Sequence, residues 1–481
     1  MNLITSFLTT SEWFYTIVIV AYLVTVLSII AVVISENRNP VKSLAWVTAM
    51  LFLPVVGMVL YAFFGRNLKN KHLISRKKKL RLRNREHFRL IEESSLDLSD
   101  ASRQQIRLAR SLTGATFFPG NKISIFTDGK EKFEVLKKDI INARHYIHLQ
   151  YYIFEDDRLG HEIKELLVAK ARQGVKVRVI YDHVGSFPLK RTFIRDMKES
   201  GVEVQPFLRV TFPQFATRIN WRNHRKITVI DGEIGYIGGM NIADRYIEGV
   251  KFGCWRDTHL RITGPAVSAM QYSFAIDWNF TTEQLLEERT KRYEVDDNAD
   301  AGIQLMTSGP NRPWSNIALL FLKAISNARK RIYIQTPYFL PTESLLKALQ
   351  AAALAKVDVR VMIPRRCDSA MLRRASYSYV GECLRAGIKI YLYDKGMLHA
   401  KTVIVDDEFS STGSTNFDSR SFEHNFECNA FIYSRDFNSR MTEIFMRDLD
   451  DCTRINPTAW RHRPAIERYK ESLVRLLSPI L

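Results

Sequence analysis

The sequence has few cysteines and lacks the common motifs of metal- and nucleotide-dependent enzymes. Its five cysteines form no C-x-x-C pair and no zinc-binding spacing, which indicates reduced thiols and a cytosolic catalytic part. No H-E-x-x-H, no Walker-type Gly-Lys-Ser/Thr loop and no clear carboxylate cluster for two metals is present. These absences exclude the usual zinc-peptidase and P-loop chemistries and favour a catalyst without metal or other cofactor.

Two stretches near the N-terminus lack charge. Residues 13–35 contain no charged side chain and are long enough to span a bilayer. A signal peptide is disfavoured because no Lys or Arg precedes the run and no small-residue cleavage site follows it. A second uncharged run, residues 44–64, is interrupted by Pro54 and Gly57, so it either crosses the membrane or forms a kinked, partly re-entrant helix. We expect two membrane-spanning helices.

Acidic residues are absent from the segment that follows. Residues 66–85 hold ten Lys/Arg and no Asp or Glu, about half of the net charge of +19. Such a run directly after an apolar segment is typical of contact with anionic lipid on the cytoplasmic face. Because these charges outnumber the two in the link between the apolar runs, we expect a multi-pass protein of the cell (inner) membrane whose C-terminal part is cytoplasmic.

A polar pattern occurs twice in the chain with identical spacing. It reads His, one residue, Lys, four residues, Asp, six residues, Gly-(Gly/Ser), one residue, Asn, with mostly Val, Ile and Thr between. On a β-strand, residues i and i+2 face the same side, so each His projects with its Lys, whereas each Asp falls on the other face or at the strand end. Packing alone gives no reason to keep two His and two Lys among apolar strand residues. The two copies are His224, Lys226, Asp231 and Asn241, and His399, Lys401, Asp406 and Asn416.

A turn is expected after each Asp of the pattern. With a two-residue loop at residues 232–233, hairpin register sets His224 opposite Asn241. With the equivalent loop at residues 407–408, it sets His399 opposite Asn416. The prediction is a compact pocket lined by cations and amides, built twice.

An α/β pattern begins near residue 116 and repeats. INARHYIHLQYYIF and GVKVRVIYD in the first copy correspond to SNARKRIYIQTPYF and VDVRVMIP in the second. Strands that alternate with helices predict a largely parallel or mixed sheet flanked by helices. We therefore expect a membrane anchor in residues 1–65, a basic connector in 66–115 and two similar α/β halves in 116–298 and 299–481.

The duplicated residues suggest phosphoryl chemistry. Two Lys and two Asn supply charge and donors for a tetrahedral oxyanion, and an imidazole can act as nucleophile or proton donor. A double displacement on a phosphodiester follows, in which one His forms a phosphohistidine and the other protonates the leaving alcohol. Each His needs a carboxylate to hold its Nδ1. The candidates are Asp257, 33 residues after His224, and Glu427, 28 residues after His399; a surface ion pair is the alternative for both.

The duplicated pattern resembles the HKD motif of the phospholipase D superfamily, whose two copies share one active site at a pseudo-twofold interface. The resemblance implies two phospholipase D-like α/β-sandwich halves, in which His and Lys act on the phosphate, Asp supports them and no metal is needed. It extends to the bacterial cardiolipin synthases through NPVKSLAWVTAMLFLPVVGMVLYAFFG (39–65), TPYFLPTESLLKAL, NFDSRSFEHNFECN and the terminal RLLSPIL. It also implies His224 as nucleophile and His399 as acid/base, although the symmetry of the sequence does not order them. The first copy departs from the second by Gly239 in place of Ser414 and by Asp257 in place of Glu427.

The function that the resemblance implies is phosphatidyl transfer between two phosphatidylglycerol molecules, which yields cardiolipin and glycerol. A phospholipase D-type hydrolase, or a phosphatidyltransferase with another head-group acceptor, is the alternative. A nuclease ranks below both, because membrane segments suit a lipid substrate better than DNA, and we expect no nucleic-acid partner. A scaffold that has lost catalysis would carry damage in one HKD copy, and both copies are intact.

Overall fold

The chain divides into two compact units. This computed structural model describes residues 2–35, 40–61, 75–85, 97–211, 220–286, 288, 299, 301–476 and 478. One unit holds the N-terminal helices, and the other holds the rest of the chain from residue 68 apart from the segment 211–220. The predicted active-site residues all belong to the second unit.

The N-terminal unit contains one long helix and a broken one. The helices are α1 (Asn2–Ser35), α2 (Pro40–Phe52) and α3 (Pro54–Leu60). Within α1, Trp13–Ala31 has a mean hydropathy of 2.4 and is the only stretch among the described residues that is long and apolar enough to cross a membrane. One candidate span is therefore present, where the sequence predicted two; residues 62–64 of the second predicted span lie outside the described residues.

The second apolar run bends at its proline. Pro54 starts α3 directly after α2 has ended, as expected for a residue that cannot donate to the preceding turn. A Cβ at Gly57 would approach the Ala49 carbonyl oxygen to 2.7 Å, so only glycine allows α3 to lie this close to α2. Trp46 and Tyr61 pack edge to face with ring centroids 5.4 Å apart. The run is thus a kinked pair of short helices.

The second unit, called the catalytic unit below because it holds the predicted active-site residues, repeats one α/β topology. Its first half consists of β1 (Phe117–Phe126), α6 (Gly129–Asn142), β2 (Tyr146–Tyr151), α7 (Arg158–Arg172), β3 (Lys176–Asp182), α8 (Arg191–Glu199), β4 (Glu203–Phe207), β5 (Ile227–Ile230), β6 (Ile234–Gly238), α9 (Arg245–Glu248), β7 (Cys254–Arg256), β8 (His259–Thr263) and α10 (Val267–Thr282). Two helices precede it, α4 (Arg76–Arg85) and α5 (Asp100–Thr113).

The second half follows the same order. It consists of β9 (Ala301–Ser308), α11 (Asn316–Asn327), β10 (Arg331–Gln335), α12 (Glu343–Leu354), β11 (Asp358–Pro364), α13 (Ala370–Arg385), β12 (Lys389–Tyr393), β13 (Gly396–Leu398), β14 (Thr402–Val405), β15 (Phe409–Gly413), α14 (Ser419–Glu423), β16 (Glu427–Tyr433), α15 (Arg435–Leu449), β17 (Cys452–Arg454), α16 (Pro457–Arg461) and α17 (Ala465–Arg475).

One mixed sheet runs through both halves. Its order is β17-β12-β11-β10-β14-β15-β16-β9-β1-β8-β6-β5-β2-β3-β4. In each half three parallel strands adjoin an antiparallel group, and the halves join through the antiparallel pair β1–β9. The strand order reverses about this junction, as a pseudo-twofold relation requires. The prediction of a mixed α/β fold with two similar halves is confirmed.

A shared core holds the halves together. Val229 and Ile237 of the first half belong to the same buried cluster as Ile404 and Cys428 of the second. The strands β5 and β14, which carry the sequences ITVI and TVIV, are buried along their whole length, because central strands are covered on both faces. The residues just before these two strands are thereby fixed relative to one another.

The end of the predicted connector packs into the second half. Ile106 and Ala109 of α5 are buried in the core that contains α11. Gln105 donates to the Leu320 carbonyl oxygen at 2.8 Å, and Ser99 caps the helix. Residues 98–113 therefore contribute a helix to the catalytic unit.

Candidate active site

Each His-x-Lys segment is attached by its backbone to the opposite half of the catalytic unit. The His224 N–H donates to the Phe426 carbonyl oxygen at 2.9 Å, and the His399 N–H donates to the Arg256 carbonyl oxygen at 2.7 Å. A strand pair strengthens this attachment: β13, just before His399, runs parallel to β7 of the first half. The two histidines therefore meet across the interface between the halves.

The carboxylates that hold the histidines are also exchanged between the halves. Glu427 lies 3.0 Å and 3.1 Å, through its two oxygens, from Nδ1 of His224. Asp257 lies 2.6 Å from Nδ1 of His399. Both candidate carboxylates are fully buried against an imidazole, but the expected pairing within each half is wrong. The reason is backbone pairing between the halves. Phe426, just before Glu427, bonds to the chain around His224, and Arg256, just before Asp257, pairs with Leu398, just before His399. Each carboxylate therefore lies beside the histidine of the other half.

The two lysines lie beside the histidines, as the i, i+2 spacing predicted. Nζ of Lys226 donates to the His224 carbonyl oxygen at 2.7 Å, and Nζ of Lys401 donates to the His399 carbonyl oxygen and lies 2.8 Å from its Nδ1. Their exposed fractions are 0% and 3%. Burial lowers the pKa of Lys226 to about 7 and that of Lys401 to about 8. Burial thus weakens the hold of each site lysine on its proton.

The electrostatics of the site favour neutral imidazoles against ionised carboxylates. Burial is the main cause that lowers the pKa of His224, and it lowers that of His399 to about 4. Burial raises the pKa of Asp257 and of Glu427, but the neighbouring cationic and imidazole groups outweigh it and leave both values below normal. With Nδ1–H directed at the carboxylate, Nε2 of each ring carries the lone pair that can act on a substrate.

The aspartates of the two HKD copies lie at the far ends of their strands. An extended chain puts Asp231 roughly 16 Å from Lys226. The carboxylates of Asp231 and Asp406 accept backbone N–H groups at the start of β2 and β10, at 2.7 to 3.2 Å. The donors are Arg144, His145 and Tyr146, and Arg329, Lys330 and Arg331. These contacts fit the prediction of turn or supporting residues.

The predicted hairpin register is wrong by one residue in both copies. Ile230 pairs with Ile234, and Val405 pairs with Phe409, so each loop has three residues instead of two. The reason is that Asp231 and Asp406 have φ values of 53° and 49°. The turn therefore begins at the aspartate itself, and the cross-strand placement of each His opposite its Asn does not hold.

The two asparagines occupy different surroundings. Asn241 accepts from the Ile153 N–H at 3.1 Å and donates to the Tyr246 hydroxyl at 2.5 Å. Asn416 hydrogen-bonds the Asp418 carboxylate, and its own Oδ1 is buried without a hydrogen-bond partner among the described residues. Both are buried at the ends of the hairpins that carry the HKD residues.

The first half needs glycine where the second half has serine. A Cβ at Gly239 would lie 2.1 Å from Oδ1 of Asp257, so the carboxylate occupies the space of the missing side chain. In the second half, the Ser414 hydroxyl donates to Oε2 of Glu427. The Gly/Ser difference and the Asp/Glu difference between the copies therefore have one cause, the way in which each half holds its carboxylate.

Aromatic residues that the sequence analysis missed surround both imidazoles. The Tyr152 ring lies edge-on to His224, with centroids 4.9 Å apart. Trp255 and Tyr246 lie 5.1 Å and 6.0 Å from the His399 ring. Trp255 stands two residues before Asp257, and that proximity was the available signal. Among the described residues, no three His, Cys, Asp or Glu side chains gather in a metal-binding cluster.

Comparisons with known proteins match this architecture over nearly the whole chain. A family model described as "Cardiolipin synthase, PLD-like domain" matches residues 136–271 and 321–449, and one described as "Phospholipase_D-nuclease N-terminal" matches residues 18–66. The chain is 40% identical to the major cardiolipin synthase ClsA of Bacillus subtilis, covering 96% of this chain and 98% of that protein. It is also 40% identical to a cardiolipin synthase of Listeria monocytogenes, covering 96% and 100%.

A solved structure shares the fold at low identity. The phosphatidylserine synthase of Haemophilus influenzae superimposes with a TM-score of 0.60 and 13% identity, covering 79% of this chain and all of that one. At this identity the likeness concerns the fold alone. It agrees with the repeated α/β topology of the catalytic unit.

Proposed function

The chain belongs to the bacterial cardiolipin synthases of the phospholipase D superfamily, and from this premise we propose how its two-histidine site works. It is a phosphatidyltransferase, and its proposed reaction moves a phosphatidyl group from one phosphatidylglycerol to a second, giving cardiolipin and glycerol. The observation that carries the mechanism is the exchange of carboxylates, which leaves Nε2 of both imidazoles available in one buried site.

In the first step, His224 is the nucleophile. Its Nε2 attacks phosphorus, the bond from phosphorus to the glycerol head-group oxygen breaks, and His399 supplies the proton to that oxygen. The products are a phosphatidyl-histidine, free glycerol and a neutral His399. Burial lowers the pKa of His399, and the negative charge of the bound phosphate raises it again. His399 therefore takes up a proton from solvent when the substrate binds, and it then gives this proton to the leaving oxygen.

In the second step, the head group of another phosphatidylglycerol enters in place of glycerol. His399 accepts the proton from its primary hydroxyl, the hydroxyl oxygen bonds to phosphorus, and the bond from phosphorus to Nε2 of His224 breaks. Water in place of the lipid alcohol would give phosphatidic acid. The acceptor is therefore what separates a synthase from a hydrolase.

The remaining site residues stabilise the phosphate and position the histidines. Lys226 and Lys401 neutralise the non-bridging oxygens of the phosphate. Asn241 and Asn416 supply uncharged hydrogen-bond donors to the same phosphate. Asp257 and Glu427 orient the imidazoles from the opposite half. Asp231 and Asp406 act indirectly, because they fix the hairpins on which the other residues stand. The proposed chemistry uses no metal.

We further propose that the N-terminal unit places this site on the cytoplasmic face of the cell membrane. α1 spans the bilayer, the run of residues 44–64 crosses back, and the basic segment 66–85 contacts anionic lipid. In this proposal the anchor comprises residues 1–65, the connector 66–115, and the halves 116–298 and 299–481, with the last helix of the connector, α5, packed into the second half. An N-terminal tag should be protected in sealed right-side-out cells; an accessible tag with a protected C-terminus would indicate a re-entrant second run instead.

Product analysis tests the reaction. Purified protein with phosphatidylglycerol vesicles and chelator should form cardiolipin and glycerol in equal amounts. Phosphatidic acid as the main product would favour the hydrolase, and loss of activity in chelator would contradict the metal-free mechanism. A covalent phosphatidyl-enzyme, stable in base and labile in acid, should be trapped in the wild type and in His399→Ala but not in His224→Ala.

A further inference from the structure

The last helix of the chain presents an apolar stripe to the outside. Ile466, Tyr469, Leu473 and Leu476, in and just after α17, are 57%, 66%, 55% and 75% exposed. Their spacing of three, four and three residues places them on one face of the helix. Single exposed apolar residues are common on protein surfaces, but a continuous stripe indicates an interaction surface.

The catalytic unit already covers the other face of α17. Glu471 is buried and forms a double ion pair with Arg463 at 2.8 and 2.9 Å. Arg475 reaches Glu382 of α13 at 2.5 Å, and Val474 packs against the core of the second half. The helix is thus fixed in one orientation, which keeps the stripe facing outward.

Basic side chains border the stripe. Arg468 and Lys470 of α17 are exposed on its two sides. Arg373 and Arg374 of α13 line the same surface cleft as Glu467. Residues 457–476 hold five Lys/Arg and two Asp/Glu. Arg463 and Arg475 belong to the ion pairs of the other face, and Lys470 pairs with Glu467 at 2.8 Å. Arg461 and Arg468 are exposed, so the segment keeps a positive charge. An apolar stripe flanked by positive charge complements an anionic bilayer surface, where the apolar side chains enter the head-group boundary and the cations meet phosphate.

This surface adjoins the wall of the active site. The Ser478 carbonyl oxygen, just beyond α17, accepts a hydrogen bond from the Ser419 hydroxyl at 2.9 Å. Ser419 begins α14, three residues after Asn416. α13 begins beside Asp368, which accepts from the Tyr338 hydroxyl at 2.8 Å and is close enough to His399 that its charge acts to raise the pKa of that imidazole, against the burial that lowers it. Both supports of the helix therefore lead to elements that carry or border the site.

We propose that Ile466, Tyr469, Leu473 and Leu476, with the flanking cations, form a membrane-binding patch that rests on the anionic bilayer surface. The patch lies in the interface plane and does not span the membrane. It holds the catalytic unit against the lipid so that phosphatidylglycerol head groups reach the histidine pair without leaving the bilayer. This contact is additional to the anchor formed by α1.

Photo-crosslinking of the full chain tests the contact without relying on activity. A benzophenone side chain replaces Tyr469 in one variant and Leu354 in another, and each protein is reconstituted into vesicles that contain labelled phosphatidylglycerol. Leu354, at the end of α12, is 65% exposed outside the patch. Labelled lipid should attach at position 469 and not at position 354. Equal lipid labelling at both positions, or crosslinks from position 469 to protein only, would overturn the proposal.

An activity comparison tests its consequence. Tyr469→Asp with Leu473→Asp should lower kcat/KM on phosphatidylglycerol vesicles by about three- to ten-fold, because two apolar side chains leave the interface. In detergent mixed micelles, where substrate reaches the site individually, the same variant should match the wild type. Leu354→Asp is the control and should match the wild type in both. An equal loss in vesicles and micelles, or no loss in vesicles, would contradict a membrane-binding role.

Discussion

The exchange of carboxylates between the halves gives the sharpest prediction. Glu427→Gln keeps the size of the side chain and the partners Ser414 and Asn425, but it removes the negative charge 3.0 Å from Nδ1 of His224. Asp257→Asn does the same for His399 at 2.6 Å. We expect Glu427→Gln to reproduce the defect of His224→Ala, although its own half contains the other histidine.

The magnitude follows from the charge that each imidazole develops during the reaction. At an effective dielectric constant near 20, opposite charges about 4 Å apart attract by about 4 kcal/mol. At about 1.4 kcal/mol per decade of rate, loss of this attraction slows the affected step by roughly a thousand-fold. Both carboxylates are fully buried, so solvent does not screen the interaction.

A donor with an activated leaving group separates the two steps. Phosphatidyl-p-nitrophenol releases an alcohol that needs no proton, so the first step depends only on the nucleophile. Asp257→Asn should then show a p-nitrophenol burst near the wild-type amplitude followed by slow turnover, as His399→Ala should. Glu427→Gln should show no burst on the same time scale. If Glu427→Gln instead behaves like His399→Ala, the exchange of carboxylates is refuted, whichever histidine is the nucleophile.

Three further predictions concern individual groups. Burial lowers the pKa of Lys226 to about 7, and only the protonated amine neutralises phosphate, so kcat/KM should fall as the pH rises through 7 to 8; a profile that stays flat to pH 9 would contradict this. Asp231→Ala should lower the free energy of unfolding by about 2–4 kcal/mol, because three backbone N–H groups lose their acceptor. Thermal unfolding in detergent measures this loss, and unchanged stability would refute the capping role. Gly239→Ala should reduce turnover at least as much as Asp257→Asn, because its Cβ would displace the Asp257 carboxylate; steady-state assays beside Ser414→Gly, which displaces nothing, check this.

Spacing along single strands predicted the local part of the site. The i, i+2 relation placed Lys226 beside His224 and Lys401 beside His399, and both pairs are adjacent in the structure. The duplication predicted that the two copies act together, and the shared core explains how they meet. These features depend only on strand geometry and on the repeat, which the sequence displays directly.

Features that depend on contacts between the halves could not be read in the same way. Glu427 and Asp257 were found as carboxylates downstream of a histidine, and sequence proximity assigned each to its own half. The pseudo-twofold interface reverses that assignment, because Phe426 pairs with His224 through the backbone. The hairpin register failed for a local reason, since a positive φ at Asp231 starts the turn one residue earlier than a two-residue loop allows.

The same interface explains why the two copies differ where they do. At Asp257 the shorter acid reaches its histidine only because Gly239 leaves space for the carboxylate. At Glu427 the longer acid needs lateral support, and the Ser414 hydroxyl provides it. A side chain at position 239 would need a matching change at Asp257, because the two would occupy the same space. The Gly/Ser difference and the Asp/Glu difference between the copies therefore compensate each other. Together they give the two histidines different surroundings, but each Nδ1 keeps a carboxylate partner. Because of these differences, His224 and His399 have different surroundings before any substrate binds.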